Sequence, residues 1–307
     1  MLLQAIVTGL SIGAIYGLVA MGFAVVFYVT RVINFATGQL LMAAVMIVAG
    51  LSESHWHAWV TIPLGLVASA VGAVLIYLIA VRPVLSFNRF SFAWLVSTLG
   101  VAIILASGAA LIWGTSSLAF PRLLNDTDVK FFGAALSWQQ IAGVGVAIVL
   151  TIGLELFRTR SLYGKLAVAI SNDADTASSM GINVTAYAVW AFAIGGLLAG
   201  IAGVMVGPIS FANPYMGDTY GIYGFVALMV GGIERPAASM GGGLVLGVLI
   251  SIAATYINPL AADWFPFVVV IAVLLLTPNG VFRSGAVVKR LLASIGSQLP
   301  HVSPGSK

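Results

Sequence analysis

Long apolar runs are the feature of this sequence that most restricts its fold. Hydrophobic residues make up 61% of the 307 residues and charged residues only 7%, whereas a soluble domain carries roughly a quarter charged residues. Because a helix needs about 20 mainly apolar residues to cross the bilayer core, the sequence predicts a polytopic transmembrane helical bundle, all-α, with about eight to ten spans. The candidate spans are residues 5–29, 35–51, 60–81, 92–114, 137–157, 185–206, 218–233, 238–257 and 264–282.

The domain organisation follows from the loops, which are too short to hold a second folded domain. Residues 1–307 are therefore expected to form a single transmembrane domain. The first apolar run lacks a basic n-region and a clear cleavage site, so we expect it to be retained as a span. Segments 35–51 and 218–233 are short enough to be half-helices, which begin or end inside the membrane.

The positive-inside rule predicts the orientation. Alternating spans from an exterior N-terminus place eleven of the 13 basic residues in the cytoplasm and two outside. The outer two are Arg122 and Lys130. The inner ones are Arg31, Arg82, Arg89, Arg158, Arg160, Lys165, Arg235, Arg283, Lys289, Arg290 and Lys307.

Uncharged polar residues lie inside or beside several spans. They either cap helices and bond to nearby backbone, or line a substrate pathway through the membrane, and the sequence leaves both interpretations open. The candidate pathway residues are Asn34, Gln39, Ser97, Thr98 and Asn213.

Two patterns of small residues point to close helix packing and internal symmetry. Gly9, Gly13 and Gly17 recur every four residues and so share one helix face. The segments INFATGQLLMAAVMI and NPYMGDTYGIYGFVALMV each place a polar, glycine-bearing start before a short apolar helix. With the first running outward and the second inward, they indicate an inverted repeat.

The sequence lacks the common motifs of nucleotide-binding, metalloprotease and serine-hydrolase sites. No GxxxxGK[ST], HExxH or GxSxG pattern occurs, and the three histidines lie outside the spans. We therefore expect no catalytic residue, no metal site and no cofactor on this chain. Glu155, Asp218 and Asp263 are placed near span ends. Without an intramembrane carboxylate for ion coupling, the energy for transport is expected to come from elsewhere.

A polar stretch, RTRSLYGKLAVAISNDADTASSMG at residues 158–181, interrupts the apolar second half of the chain. Its basic flank predicts a cytoplasmic position. Ser171, Asn172, Asp173 and Asp175 can cap two short helices, and the small residues Ala167, Ala169, Ala174, Ala177, Ser178 and Ser179 leave a slim exposed surface. That surface suits either docking of a soluble partner or a plain solvated loop.

Five segments resemble the membrane permease of branched-chain amino acid ABC importers, in the order of that family. They are INFATGQL at 33–40, VRPVL with LVSTLGVAIIL at 81–105, GKLAVAISNDADTASSMGIN at 164–183, MVGGIERPAASMGGGLVLG at 229–247 and TPNGVF at 277–282. The departures are Val168-Ala169 where the family usually has Arg-Ala, the ISNDAD sequence, and residues 115–136, which do not align.

The resemblance implies a permease domain with a cytoplasmic coupling loop at 158–183. Gly164, Asp173, Ala177 and Gly181 match the coupling motif. It further implies a sister permease, the same or different, two cytosolic ATPases and an extracytoplasmic binding protein, all at a prokaryotic inner membrane. Contacts with lipid are expected and contacts with nucleic acid are not.

The implied activity is inward passage of a small hydrophobic amino acid, driven by ATP hydrolysis on a partner chain, so this chain itself would not be an enzyme. Two alternatives remain open at this point. One is an ABC permease for urea, short amides or another small metabolite. The other is an ion-coupled secondary carrier.

Overall fold

The computed structural model describes residues 1–87, 92–121, 128–131, 134–233 and 235–276. The first part holds helices α1 (Leu2–Thr30), α2 (Thr37–Glu53), α3 (Ala58–Ile76), α4 (Arg82–Phe87) and α5 (Ala93–Trp113), with a π-helical turn at Tyr77–Val81 joining α3 to α4. Strands β1 (Asp128–Phe131) and β2 (Ala134–Ser137) follow. The remainder is α6 (Trp138–Arg160), α7 (Leu162–Asn172), α8 (Ala174–Ser179), α9 (Val184–Ser210), α10 (Met216–Gly231), α11 (Pro236–Tyr256) and α12 (Ala261–Leu276).

The predicted helical membrane fold is confirmed. Within the described ranges, six helices are long and apolar enough to cross a membrane: α1, the continuous Ala58–Ser86 segment, α5, α6, α9 and α11. The two segments predicted to be short are short, since α2 has 17 residues and α10 has 16. Part of the predicted ninth span, residues 277–282, lies outside the described residues, as do the basic residues Arg89, Arg122, Arg283, Lys289, Arg290 and Lys307.

The bundle consists of two related halves, α1–α2–α3–α5 and α9–α10–α11–α12. Helix α1 packs on α10 and α11 as α9 packs on α2 and α3, and α2 and α10 meet at the centre. Val29 in the last turn of α1 packs with Ala191 near the start of α9, while Gly22 meets Gly195 further along. The two helices are therefore antiparallel, which confirms the inverted repeat.

Small residues make the central contacts possible. A Cβ atom on Gly9 would lie 2.7 Å from the Cα of Val248, and one on Gly13 would lie 2.9 Å from the Cα of Leu244. The predicted glycine face of α1 thus packs against α11 at backbone distance, a contact that larger side chains would prevent. Helices α1 and α2 supply most of the largest fully buried side chains, whereas α6 has one buried residue, Ala147.

One end of the bundle, here called the basic end, carries the C-terminal turns of α1 and α6 together with α7 and α8. Arg31 donates a hydrogen bond to the carbonyl oxygen of Ser171, and Arg158 forms an ion pair with Glu155. These two arginines, which the positive-inside rule assigns to the same side of the membrane, do lie at the same end of the bundle.

The opposite end, here called the hairpin end, contains a feature that the sequence analysis does not predict. Strands β1 and β2 form an antiparallel hairpin, and Gln4 bonds to Ala135 through both its side-chain oxygen (2.8 Å) and nitrogen (3.0 Å). Leu118 also pairs with Ala212 through two backbone hydrogen bonds. The connection after α5 therefore adds a small β element to the otherwise helical chain and ties it to the ends of α1 and α9.

Candidate functional site

Helices α2 and α10 begin with the same local structure. The side-chain oxygen of Asn34 accepts a hydrogen bond from the Ala36 N–H (3.2 Å), and that of Asn213 accepts one from the Tyr215 N–H (2.8 Å). Each asparagine also accepts a backbone bond from the first helical residue, Thr37 or Met216. Asparagine favours such turns because its side chain can bond to the backbone two residues ahead. Both predicted asparagines therefore set the start of a short helix.

The two helix starts cross at a pair of glycines. A Cβ atom on Gly38 would lie 2.7 Å from the Cα of Gly221 and closer still to the carbonyl oxygen of Gly217. In return, a Cβ atom on Gly217 would lie 2.8 Å from the carbonyl oxygen of Gly38. Since real Cβ atoms are not found so close to backbone, the crossing requires glycine on both helices.

Beside this crossing, two polar side chains meet. Gln39 is 2% exposed, and its Nε2 donates a hydrogen bond of 2.6 Å to the Oδ1 of Asp218. Its Oε1 is buried and has no hydrogen-bond partner among the described residues. Asp218 is exposed on α10, next to exposed Thr219. The carboxylate lies in the first turn of its helix, where the helix dipole stabilises negative charge.

The depth of this crossing follows from the long helices. A Cβ atom on Gly22 would lie 2.9 Å from the carbonyl oxygen of Gly195 and 3.6 Å from the Cγ2 of Thr37. Gly195 is eleven residues beyond the start of α9 at Val184, which is about 16 Å along the helix axis. With the start of α9 taken as the surface of a hydrocarbon core about 30 Å thick, the crossing and Asp218 lie near the middle of that core.

This depth corrects the expectation that Asp218 sits at a span end. Asp218 does begin a helix, but α10 starts inside the bundle rather than at a surface. A charged side chain at the bilayer centre costs about 2.5–3.5 kcal/mol on insertion scales and marks a functional site by default. The sequence holds one signal for it, because Gln39 and Asp218 each come five residues after the paired asparagines.

Ser97 and Thr98, also predicted to line a pathway, lie elsewhere. Ser97 Oγ donates a hydrogen bond to the Ala80 carbonyl oxygen (2.8 Å), in the π-helical turn after α3. Thr98 is fully buried, and its hydroxyl donates to the Leu95 carbonyl oxygen (3.2 Å). Their hydroxyls bond to nearby backbone and not to Gln39. Their role in a pathway stays a prediction.

At the basic end, α7 and α8 form a compact unit, and three of the predicted coupling residues shape it. A Cβ atom on Gly164 would lie 2.6 Å from the Cα of Arg158, so glycine lets α7 fold back against the end of α6. Asp173 caps α8 by accepting from the N–H groups of Asp175 and Thr176, both at 3.0 Å. Gly181, at φ 85°, ends α8, and the bonds Gly181 N–H to Ser178 and Ile182 N–H to Ala177 make a Schellman motif.

The charge of Asp173 is favoured by its surroundings. The Thr176 hydroxyl donates to Asp173 Oδ2 at 2.6 Å, and with the two backbone donors it lowers the pKa of this carboxyl group below its usual value. Asp173 is exposed. The unit therefore presents a fixed negative charge to solvent at neutral pH.

Ala177, the fourth predicted coupling residue, corrects the picture of an exposed small-residue surface. It is 4% exposed and packs in a small cluster with Val29, Ile170 and Ala191. The exposed side chains of α8 are instead those of Asp175, Thr176, Ser178 and Ser179. Ala177 fixes α8 to the ends of α1 and α9, so the α7–α8 unit is attached directly to the helices that lead to the central crossing.

Comparison with known proteins decides the family. The model for "Branched-chain amino acid transport system / permease component" matches residues 5–274. The chain belongs to this permease family.

The matches to known relatives cover nearly the whole chain. The permease is 31% identical over 294 residues to the high-affinity branched-chain amino acid transport system permease protein LivH of Salmonella typhimurium, covering 91% of this chain and 94% of the relative. It is 31% identical over 293 residues to LivH of Escherichia coli, with the same coverage, and 30% identical over 293 residues to BraD of Pseudomonas aeruginosa, covering 91% and 95%. No solved structure matches the permease.

Proposed function

We propose that this permease is the membrane-spanning subunit of an ABC importer that passes a small hydrophobic amino acid of the branched-chain type into the cytoplasm. Family membership over residues 5–274 is the observation that carries the proposal. The alignments with relatives named for high-affinity branched-chain amino acid transport cover more than nine-tenths of this chain and of each relative. This coverage supports the same substrate class here.

The proposed assembly contains two permease subunits, two cytosolic ATPases and an extracytoplasmic binding protein. No ATP-binding P-loop occurs in this chain, so nucleotide hydrolysis is assigned to a partner. The α7–α8 unit is the proposed site of coupling, because it projects an ionised Asp173 and a row of small polar side chains while Ala177 holds it to the bundle.

The proposed orientation places the basic end in the cytoplasm and the hairpin end outside. Arg31, Arg158, Arg160 and Lys165 all lie on or beside the turns that meet at the basic end, in agreement with the positive-inside rule. The N-terminus then lies outside and the ATPases dock on the same side as α7 and α8.

A transport mechanism follows from the attachment of the coupling unit. Movement of α7 and α8 on ATP binding would be transmitted by Arg31, which holds the Ser171 carbonyl and sits at the turn between α1 and α2. Helix α2 would then move relative to α10 at the glycine crossing. Because that crossing lies in the middle of the membrane, a small rotation would open the pathway to one side or the other.

The direct test is uptake by the complex purified in mild detergent and reconstituted in vesicles with its copurifying binding protein. We expect uptake of radiolabelled leucine that requires ATP on the ATPase side and saturates with the binding protein. Uptake of urea or a short amide in preference to leucine would overturn the substrate assignment.

Asp218 gives the ion-coupled carrier hypothesis one supporting observation, since carriers use intramembrane carboxylates. The two mechanisms separate in vesicles that contain this chain without ATPases. Accumulation of leucine driven by an ion gradient alone, with no nucleotide, would replace the ABC proposal.

A further inference from the structure

We infer that Asp218 is a binding site for the ammonium group of the substrate as it passes the middle of the membrane. The inference rests on the proposed function for the substrate class. It depends on the position, exposure and partners of one carboxylate.

The position of Asp218 is inconsistent with contact to lipid. Its carboxylate lies beside the Gly38–Gly217 crossing, near the centre of the hydrocarbon core, and the residue is exposed on the surface of this chain together with Thr219. Carboxylates at this depth face water-filled cavities or other protein rather than acyl chains. The surface of α10 around Asp218 therefore faces an aqueous pathway, formed with the sister permease.

Other exposed surfaces of the membrane-spanning helices are different in character. Helix α5 exposes Ile103 (66%) and Ile104 (69%), and α6 exposes Val149 (68%). These side chains are suited to lipid. The α10 surface, in contrast, combines exposure with a carboxylate in a first turn that begins inside the bundle. Tyr215 (50%) and Ile222 (42%) are exposed on the same side of α10, so the carboxylate is what distinguishes this surface from the lipid-facing ones.

The partners of Asp218 leave it able to bind a cation. Among the described residues no basic side chain forms an ion pair with it, and its side-chain partner there is the neutral amide of Gln39, which donates to Oδ1 at 2.6 Å. That bond fixes the orientation of the carboxylate, and the N-terminus of α10 favours a negative charge at this position. Oδ2 can therefore accept from a second donor.

Gln39 is fixed with its side-chain nitrogen toward Asp218 and its side-chain oxygen against Gly217. It is 2% exposed, and its Oε1 has no hydrogen-bond partner in the described structure, which is unusual for a buried amide oxygen. An ammonium group carries three N–H donors. One such group beside Asp218 could satisfy Oδ2 of the carboxylate while Gln39 Nε2 keeps its bond to Oδ1.

The ligand class follows from this chemistry. An amino acid carries a primary ammonium group, which a negative site such as Asp218 can bind. A substrate with no positive charge, such as urea or a short amide, can offer Asp218 only a neutral N–H donor, which forms a weaker hydrogen bond. The residue would thus favour amino acids over neutral molecules of similar size during passage.

The first experiment measures the charge preference of the surface and does not depend on transport. The chain contains no cysteine, so Thr219→Cys provides a single reactive thiol next to Asp218 in the intact complex. The complex is treated either with a cationic ethylammonium methanethiosulfonate or with an anionic ethylsulfonate methanethiosulfonate. Mass spectrometry then measures the labelling of this chain. We expect the cationic reagent to react about fivefold faster or more, because the carboxylate lies within a few ångströms in a low-dielectric site.

The matched variants isolate the charge. Adding Asp218→Asn keeps an oxygen acceptor for Gln39 but removes the negative charge, so the preference for the cationic reagent should disappear. Ile103→Cys, at an exposed position on α5, should react with neither charged reagent because it faces lipid. An unreactive Thr219→Cys, or a reagent preference that Asp218→Asn leaves unchanged, would overturn the inference.

The second experiment measures uptake by the reconstituted importer. Asp218→Asn should lower the maximal rate of leucine uptake about tenfold, the size expected for loss of a charge-assisted hydrogen bond, while Asp218→Glu should restore part of it. Binding of leucine to the binding protein should not change. Unaltered uptake in Asp218→Asn overturns the inference. Failure of the unmodified importer to take up leucine overturns the proposed function instead, and the labelling result then stands alone.

Discussion

Arg31 donates a hydrogen bond to the backbone carbonyl oxygen of Ser171, and this bond joins the α7–α8 unit to the turn that precedes α2. Arg31 itself is held at the end of α1 in a left-handed conformation, φ 57°, with its N–H bonded to Phe27. The guanidinium also lies 5.7 Å from the centre of the Phe27 ring. The residue thus connects the proposed coupling surface to the helix that crosses α10 in the membrane.

Replacement of this arginine should uncouple the ATPases. In Arg31→Ala the Ser171 carbonyl loses its charged donor, so motion of α7 is no longer passed to α2, and we expect substrate-stimulated ATP hydrolysis to fall roughly fivefold or more. Ser171→Ala is the matched control, because the bond uses the backbone oxygen and not the hydroxyl. Equal losses in the two variants would contradict a role for this bond.

The glycine crossing predicts a strong effect of one methyl group. Gly38→Ala would place a Cβ against backbone atoms of Gly217 and Gly221, which cannot move aside as a side chain can. We expect a loss of about 1–3 kcal/mol in the free energy of unfolding, seen as a lower melting temperature in detergent, and loss of uptake.

Gly100→Ala on α5 is the control for that substitution, since no atom lies within 4 Å of the added Cβ. It should leave both the melting temperature and uptake close to those of the unmodified permease. A Gly38→Ala variant that behaves like Gly100→Ala would show that α2 and α10 do not cross as described.

The burial of Ala177 predicts a difference between neighbours on α8. Ala177→Trp should force α8 away from Val29 and Ala191 and so reduce substrate-stimulated ATP hydrolysis, with increased hydrogen exchange across residues 174–179. Ser178→Trp adds the same ring to an exposed position of the same helix, so the helix should stay protected. Equal exchange in both variants would place Ala177 on the surface after all.

The cap on α8 predicts a pH dependence. The pKa of Asp173 is lowered from its usual value of 3.8 by the Thr176 hydroxyl and the backbone donors. Because this pKa is depressed, the charged cap stabilises α8 at any pH above the ordinary pKa of an aspartate. The stabilisation is lost as the pH falls through the lower pKa of the folded state.

Hydrogen exchange of residues 174–179 measures this cap. Protection corrected for intrinsic rates should be constant at neutral pH and decline only in strongly acidic solution. Asp173→Ala should show reduced protection at every pH, and Asp173→Asn, which can still accept the backbone bonds, should lose less. Unchanged exchange in Asp173→Ala would exclude the cap as a support of α8.

Much of the fold could be predicted because the lipid bilayer restricts which structures can span it. Apolar runs of membrane length leave no alternative to helices, since backbone groups in the hydrocarbon core must bond within their own segment. The glycine face of Gly9, Gly13 and Gly17 and the two short polar helix starts are likewise visible in the sequence, and the structure confirms their packing. The hairpin is not predictable in the same way, because strands of four residues, Asp128–Phe131 and Ala134–Ser137, leave too short a pattern to recognise.

The candidate site could be predicted only in part. Asn34, Gln39 and Asn213 stand out in the sequence as polar residues beside spans, but Asp218 does not, because it begins a helix. Equating a helix start with the membrane surface fails for a helix that starts at depth. The exposure expected for Ala177 is wrong for a related reason, since a small side chain on a short helix gives no sign of which face is buried.

The sequence by itself determined the class of protein, the helical segments and the family, because the cost of exposing charge or unpaired backbone to lipid acts on each segment locally. Only the tertiary structure decided which residues meet. Gln39 and Asp218 are 179 positions apart, and their contact depends on two glycines that let separate helix starts touch. Depth in the membrane is likewise a property of the assembled bundle, and depth is what turns an ordinary aspartate into a candidate site.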